Sequence, residues 1–125
     1  MTPNEILEID AKRNHPPGTV AGHLRAEIND DLRAGGEIFQ FGDTLIVYKA
    51  VEPGIVEHHS FNADTPQNLL EANQKLWRLL KKAGAVMAYT TYENPKINKL
   101  FEQVSDDFPV EITEDNGVFT AKVSL

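Results

Sequence analysis

The stretch TPQNLLEANQKLWRLLKKAGAVMAYTTYENP, residues 65–95, decides the fold because it predicts a long helix followed by a central strand. Thr65 can cap the helix, Pro66 suits its first turn, and the amphipathic pattern continues to Lys82. Ala85 to Tyr92 is a nearly continuous apolar and aromatic run, as expected of a strand covered on both faces. The predicted inward positions of the helix are Leu69, Leu70, Leu76, Trp77, Leu80 and Ala83.

Three strands are predicted before this helix. Glu37 to Phe41 and Thr44 to Val51 are rich in β-branched and aromatic residues, with Gly42-Asp43 as a two-residue turn between them. Pro53-Gly54 marks a second turn, after which Ile55 to Phe61 predicts the third strand. Because both connections are short, we expect these strands to pair as an antiparallel meander.

The first 34 residues contain only helix signals. Thr2 and Glu5 can form a capping box, and the two prolines between Asn14 and Gly18 end the first helix. A second helix is predicted over Val20 to Arg33, because an apolar residue recurs at every fourth position. Its predicted stripe is Val20, Leu24, Ile28 and Leu32.

Two further elements are predicted after the central strand. Asn94-Pro95 starts a short helix that continues to about Val104. Its predicted inward residues are Ile97, Leu100, Phe101 and Val104. Val110 to Val123 predicts a hairpin, because Asn116-Gly117 accepts the positive φ angles of a tight turn.

The order of elements predicts a single domain over residues 1–125, in the α/β class with a mixed sheet of the α+β kind. Residues 1–34 form the helical N-terminal part, and residues 37–125 form the sheet core. The antiparallel meander leads into a strand–helix–strand crossover, which requires a central parallel strand pair. We therefore expect a mostly antiparallel sheet with helices on both faces.

Composition and charge exclude several classes of protein. The chain has no cysteine, so disulfides and cysteine zinc sites are impossible. The formal net charge of −7 repels nucleic-acid phosphates and anionic membrane surfaces, and the dense basic stretch from Lys75 to Lys82 is expected to be a solvated helix face. No apolar run approaches the roughly 20 residues of a membrane span. No secretory signal is seen, and a cytoplasmic location is expected.

Metal binding and the common phosphate or nucleophile motifs are not predicted. His58 and His59 are adjacent on a strand, so they point to opposite faces and cannot readily share a metal ion. His15 and His23 are expected to lie in an unrelated region. The sequence also lacks the Gly-x-Ser-x-Gly, Gly-Lys-Ser/Thr and Gly-x-Gly-x-x-Gly motifs, which leaves hydrolase, nucleotidase and dinucleotide-binding functions without support.

One stretch after the central strand resembles a known family. Residues 94–103, NPKINKLFEQ, are similar to the pattern Asn-x-x-Ala-x-x-Leu-Tyr-Glu-Lys of the GNAT family of acyl-CoA-dependent N-acyltransferases. Asn94, Leu100 and Glu102 match this pattern. Ile97 takes the alanine position. The order of strands and helices over the sheet core also agrees, so the resemblance implies a GNAT-like fold.

The chain departs from the family at its beginning. GNAT domains normally open with a strand, whereas the first 34 residues here predict only helices, so the sheet is expected to lack its first edge strand. An uncovered edge invites pairing with another chain. Within the family, the chain most resembles small GNAT-like proteins of tailed phage particles, including internal virion proteins of short-tailed phages.

The resemblance places the CoA pyrophosphate at the start of the long helix, where the family usually has Arg/Gln-x-x-Gly-x-Gly/Ala. The corresponding residues, Phe61 to Pro66, include no glycine and no basic residue. Asp64 puts a negative charge there, and Pro66 removes a hydrogen-bond donor, so the loop is expected to bind phosphate poorly. If acetyl-CoA does bind, the cofactor-binding residues implied by the resemblance are Phe61, Asn62, Ala63 and Asn94.

The candidate catalytic residues lie on the third strand. Glu57 and His59 are two positions apart and therefore share one face. The family often has its base on this strand, so either residue is the expected base if the chain is active; the alternative is a structural polar face. The family also usually has tyrosine at the position of Phe101, where it can protonate the departing thiolate, an effect typically worth about 10²–10⁴-fold.

The sequence leaves three functions open. The first is a non-catalytic GNAT-like protein, a pseudoenzyme without a cofactor. It would act by binding a protein partner or a second copy of itself, as a phage virion or assembly component. The second is an active acetyl-CoA-dependent N-acyltransferase with an atypical CoA loop. The third is an unrelated α/β regulatory module, which would be favoured if the two parallel strands did not splay.

Overall fold

The computed structural model describes all residues from Met1 to Leu125. The helices are α1 (Pro3–Asn14), α2 (Ala21–Arg33), α3 (Pro66–Lys82) and α4 (Ile97–Phe101). The strands are β1 (Glu37–Phe41), β2 (Thr44–Glu52), β3 (Ile55–Asn62), β4 (Met87–Tyr92), β5 (Val110–Asp115) and β6 (Val118–Ser124). None of the four helices combines the length and the apolar character needed to cross a bilayer.

The six strands form one mixed sheet in the order β1-β2-β3-β4-β6-β5. The pair β3–β4 is parallel, and the other four pairs are antiparallel. The predicted fold class is therefore confirmed. As predicted, residues 1–34 contain α1 and α2 and no strand, and β1 lies at an edge of the sheet.

Helices cover both faces of the sheet. Successive strand residues point to opposite sides, so the central strands offer apolar side chains to a helical layer on each face. On one face, α1 and α2 pack on Leu45, Val47 and Phe61. On the other face, α3 packs on Ile46 and Val56. These two apolar clusters hold the central strands between the two helical layers.

Capping residues predicted the starts of α1 and α3 correctly, but some predicted inward residues are wrong. Thr2 caps α1 through a reciprocal capping box with Glu5, as predicted. In α2, Leu24 and Ile28 are buried, whereas Val20 and Leu32 are exposed because they lie at the two ends of the helix. The predicted inward residue Ala83 is exposed too, since it is the C-cap of α3.

The segment from β4 to α4 differs most from the prediction. β4 begins at Met87 rather than Ala85, and Ala88 is its one buried residue. The expected cover on both faces is therefore wrong for the end of this strand. α4 ends at Phe101 instead of about Val104 and contains no buried residue. The end of β4 and the side chains of α4 are not fully buried because they border an opening in the sheet instead of a packed layer.

Candidate functional site

The two parallel strands separate shortly after they begin. β3 and β4 pair at three positions, of which the last joins Glu57 and Tyr89. Beyond this position β3 runs on to Asn62 beside β2 alone, and β4 runs on to Tyr92 beside β6 alone. A gap therefore opens between the strands, which argues against an unrelated module.

Backbone groups without a strand partner face this gap. The N–H of Asn62 points away from β2, because it donates to Asp10 Oδ1 at 2.8 Å. Antiparallel pairs alternate between hydrogen-bonded and non-hydrogen-bonded, so the N–H and C=O of Ser60 also face the gap. The same alternation turns the N–H and C=O of Thr91 towards it from β4. The gap can therefore receive an extended chain that carries amide groups.

The gap is the centre of a cavity of about 630 Å³, which we call the cleft. Its walls come from both helical layers, from the ends of β3 and β4, and from the segment that follows α1. Its titratable lining residues are Asp10, His15, Glu27, His59, Tyr92 and Glu93. No lysine or arginine lines it. The cleft thus reaches both helical layers and carries carboxylates and imidazoles but no ammonium or guanidinium group.

The predicted pair on β3 is brought together at the edge of the gap. His59 Nε2 lies 2.8 Å from Glu57 Oε1, and the Tyr89 hydroxyl donates to Glu57 Oε2 at 2.9 Å. His59 is 36% exposed and lines the cleft, whereas Glu57 is 25% exposed and lies behind it. Because Nε2 is held by the carboxylate and Nδ1 has no protein partner, the free nitrogen of His59 can accept a proton.

Several neighbours keep Glu57 ionised. Burial raises its pKa, but hydrogen bonds from His59 and Tyr89, together with the positive charge of Lys49, leave the pKa below its ordinary value. Lys49 is itself anchored by Asp31 of α2 at 2.8 Å. A carboxylate with a lowered pKa is a weak base but a good anchor for an imidazole, so His59 is the better candidate for proton transfer.

A second carboxylate–imidazole pair lies on the α1 side of the cleft. Asp10 is 2% exposed, and its Oδ2 lies 2.8 Å from Nε2 of His15. The expectation that His15 lies in an unrelated region is wrong, because α1 packs over β3 and brings His15 to the cleft that His59 also lines. The sequence held one signal: Asp10 lies four positions after Ile6, on the apolar face of α1.

The loop before α3 is held by hydrogen bonds within the protein. Asp64 Oδ1 accepts the Thr65 N–H at 2.9 Å, and Thr65 Oγ1 accepts the Asn68 N–H at 3.2 Å, so the predicted cap is confirmed. Hydrogen bonds from Asn68 and Thr65 hold the pKa of Asp64 below its usual value. Arg13 is the nearby cation, and it donates to the Asp64 carbonyl at 3.2 Å. The helix start is thus occupied by groups of the protein itself.

The predicted cofactor residues are only partly brought together. Phe61, Asn62 and Asn94 line the cleft, whereas Ala63 does not, and its N–H donates to the Asp43 carbonyl at 3.0 Å. Asn94 Oδ1 accepts the N–H of Lys96 at 3.0 Å and so also shapes the turn into α4. Sequence reasoning missed Ser60 and Thr91, whose backbone groups are identified only by the strand pairing.

The aromatic side chains divide between the core and the cleft wall. Trp77 is fully buried and stacks on Phe101, with ring centroids 6.3 Å apart. Tyr92 stacks on the other side of Phe101 at 5.7 Å and lines the cleft. His58 lies on the opposite face from His59, as predicted, and accepts the Trp77 indole N–H. No group of three or more His, Asp or Glu side chains is placed to hold a metal ion.

Comparisons with known proteins show the fold. The sequence matches no protein-family model and no curated protein sequence. Among solved structures, the chain is similar to a ribosomal-protein-alanine N-acetyltransferase from Brucella melitensis, with a TM-score of 0.60 and 13% identity over 97% of this chain and 93% of that one. It is also similar to an N-acetyltransferase from Staphylococcus aureus Mu50, with a TM-score of 0.56 and 16% identity over 98% and 91%.

Neither of these structures is a phage protein, so they give no support to the narrower resemblance to virion proteins. Both superpose over nearly the whole chain, and both agree with the fold implied by residues 94–103. The chain therefore has the GNAT-like fold of the N-acetyltransferases.

Proposed function

We propose that the chain is an N-acyltransferase that takes an acyl group from acyl-CoA and passes it to an amine. The observation that carries this proposal is the position of His59, which is held by Glu57 at the edge of the gap between β3 and β4. Amide-bond formation needs a group that accepts the proton lost by the amine. Here such a group lies beside an opening lined with backbone amides that can bind the acyl donor. The acetyltransferase fold of the two similar structures supports the same function.

In this function each member of the Glu57 cluster has one task. The bound thioester supplies an acyl carbon and a thiolate leaving group. His59 Nδ1 accepts the proton that the amine loses as its nitrogen joins the acyl carbon. Glu57 holds the ring through Nε2, and Tyr89 holds Glu57. Phe101 has no proton to give, so the thiolate is protonated from solvent.

The residues fit one part of CoA better than the other. The amide groups of a pantetheine arm match the free backbone N–H and C=O of Ser60 and Thr91 in the gap. The diphosphate finds a poor site, because Asp64 and Thr65 occupy hydrogen-bond donors at the start of α3 and Pro66 offers none. We therefore expect weak affinity for CoA that depends mainly on the arm.

Acetyl-CoA titration during thermal unfolding tests the proposal. A ligand at 100 times its dissociation constant stabilises a fold by about 2.7 kcal/mol, which is several degrees for a chain of this size. The variant His59→Gln keeps a group at the Nε2 position for Glu57 but lacks Nδ1. It should show the same thermal shift and lose about 10²-fold or more in acyl transfer to an amine. No shift at millimolar acetyl-CoA would contradict the proposal.

A second function is favoured by the occupied donors of the CoA loop. According to this alternative, the chain is a non-catalytic GNAT-like protein of a phage particle. It binds another protein or a second copy of itself. Two hydrogen bonds support this alternative: Asp10 accepts the N–H of Asn62, and Asp64 accepts the N–H of Thr65. Both N–H groups are therefore already bonded within the protein. It predicts no acetyl-CoA shift, together with a complex or oligomer in size-exclusion chromatography with light scattering.

A further inference from the structure

We propose that His15, positioned by the buried carboxylate of Asp10, is a second proton acceptor in the cleft and forms, with Glu27, a binding site for a cationic amine. The inference deepens the proposed function and rests on it in one respect: the amine bound there would be the acyl acceptor. The binding itself does not require CoA.

The first support is the rigidity of the Asp10 carboxylate. Its Oδ1 accepts the backbone N–H of Asn62 and the side-chain amide of Asn14, both at 2.8 Å, and its Oδ2 faces His15 Nε2 at 2.8 Å. A carboxylate that is 2% exposed and bonded to three donors has one orientation. Because one of those donors is the backbone of β3, the imidazole is fixed relative to the gap.

The second support is the proton arrangement on the ring. The ionised carboxylate of Asp10 only accepts, so Nε2 of His15 carries the hydrogen that it donates. The neutral ring then has its lone pair on Nδ1, which has no hydrogen-bond partner in the protein. The side chain is 30% exposed and lines the cleft. His15 thus presents a hydrogen-bond acceptor to a ligand, as an imidazole ordered by a buried carboxylate does in acid–base catalysis.

The third support is the charge of the surrounding wall. Glu27 of α2 and Glu93 after β4 line the same cleft, and no lysine or arginine does. In a partly enclosed site, charges of one sign attract ligands of the other sign and repel their own. An alkylammonium group is therefore favoured over a carboxylate of the same length.

Two proton acceptors match the proton balance of acylating an ammonium ion. The ammonium must lose one proton to become nucleophilic, and the nitrogen loses a second when its bond to the acyl carbon forms. His15 Nδ1 takes the first proton and passes it to solvent, and His59 Nδ1 takes the second. The carbon–sulfur bond breaks, and the thiolate gains one proton, so the net release is one proton.

Binding of n-butylamine, measured by calorimetry at neutral pH, tests the site directly. The variant His15→Gln keeps an amide at the Nε2 position for Asp10 but lacks Nδ1. The variant Asp10→Asn can still accept the Asn62 N–H but turns an amide towards His15, which moves the ring proton to Nδ1. We expect both variants to weaken binding at least tenfold and His23→Gln, a histidine that does not line the cleft, to bind like the wild type.

Three results would overturn the proposal: no butylamine binding by the wild type, equal binding by His15→Gln, or equal binding of butyrate. None of them requires turnover, so failure of the acyltransferase function alone leaves this test decisive. If acetyl transfer occurs, raising the pH from 7 to 9 supplies neutral amine from solution. The rate defect of His15→Gln should then shrink while that of His59→Gln persists, a difference that a purely structural role of His15 would not produce.

Discussion

The indole N–H of Trp77 donates to Nε2 of His58 at 3.1 Å, and both side chains are buried between α3 and the sheet. Since Nε2 accepts this hydrogen bond, the ring hydrogen lies on Nδ1, which has no partner in the protein. Burial lowers the pKa of His58 to about 3. The core beneath the cleft is therefore built around a neutral imidazole.

Acid should destabilise the protein through His58. The unfolded chain takes up a proton at this ring near pH 6.5, whereas the folded chain resists protonation down to about pH 3. The stability that comes from the neutral ring of His58 is fully present above pH 6.5, and it is lost as the pH falls towards 3. We expect this group to lower the free energy of unfolding by about 2–3 kcal/mol between pH 7 and pH 4.5. Urea denaturation at both pH values measures it, and His58→Gln should flatten the dependence; an unchanged dependence would refute the assignment.

Removal of the α3 cap should cost a measurable amount of stability. Thr65 Oγ1 accepts the N–H of Asn68 at 3.2 Å and so satisfies one of the free N–H groups of the first turn. The substitution Thr65→Ala should lower the free energy of unfolding by about 1 kcal/mol, and Thr65→Ser should keep most of it. Equal losses in the two variants, measured by urea denaturation, would show that the methyl group rather than the hydroxyl matters.

The charge of Asp64 should limit the affinity for acetyl-CoA. Hydrogen bonds from Asn68 and Thr65 keep its pKa low, so the carboxylate is charged at neutral pH. Asp64→Asn removes the charge and keeps an oxygen for the Thr65 N–H. We expect a roughly two- to fivefold gain in acetyl-CoA affinity by calorimetry, the size of a charge effect at a helix N-terminus. The matched control is Asp115→Asn at the end of β5, a residue that does not line the cleft; an equal gain there would point to net charge alone.

The Tyr89 hydroxyl should matter for turnover rather than for amine binding. It donates to Glu57 Oε2 at 2.9 Å and helps to hold the carboxylate that anchors His59. If the chain is an acyltransferase, Tyr89→Phe should lower kcat about tenfold and leave the KM for the amine unchanged. Tyr48→Phe is the control, since its hydroxyl binds Glu37 away from the cleft. Steady-state kinetics that show a loss only in KM would contradict the positioning role.

Local chemistry explains why so much of the fold could be predicted from the sequence. Pro66 and Thr65 define the start of α3, and Asn116-Gly117 adopts the positive φ angles that a tight hairpin turn needs. The alternation of β3 also placed Glu57 and His59 on one face, and their contact follows from it. These features involve residues within a few positions of each other, so their interactions do not depend on how the layers pack.

Contacts between distant parts of the chain decided the site. Asp10 meets the N–H of Asn62 across 52 positions, and no local pattern predicts that His15 shares a cleft with His59. The gap itself arises because β3 and β4 stop pairing after Glu57 and Tyr89, while each remains bonded to its other neighbour. The sequence by itself determined the order of the elements and most of their ends, through caps, turns and periodicity. Only the packing of α1 over a parallel pair that diverges decided which polar groups face one another.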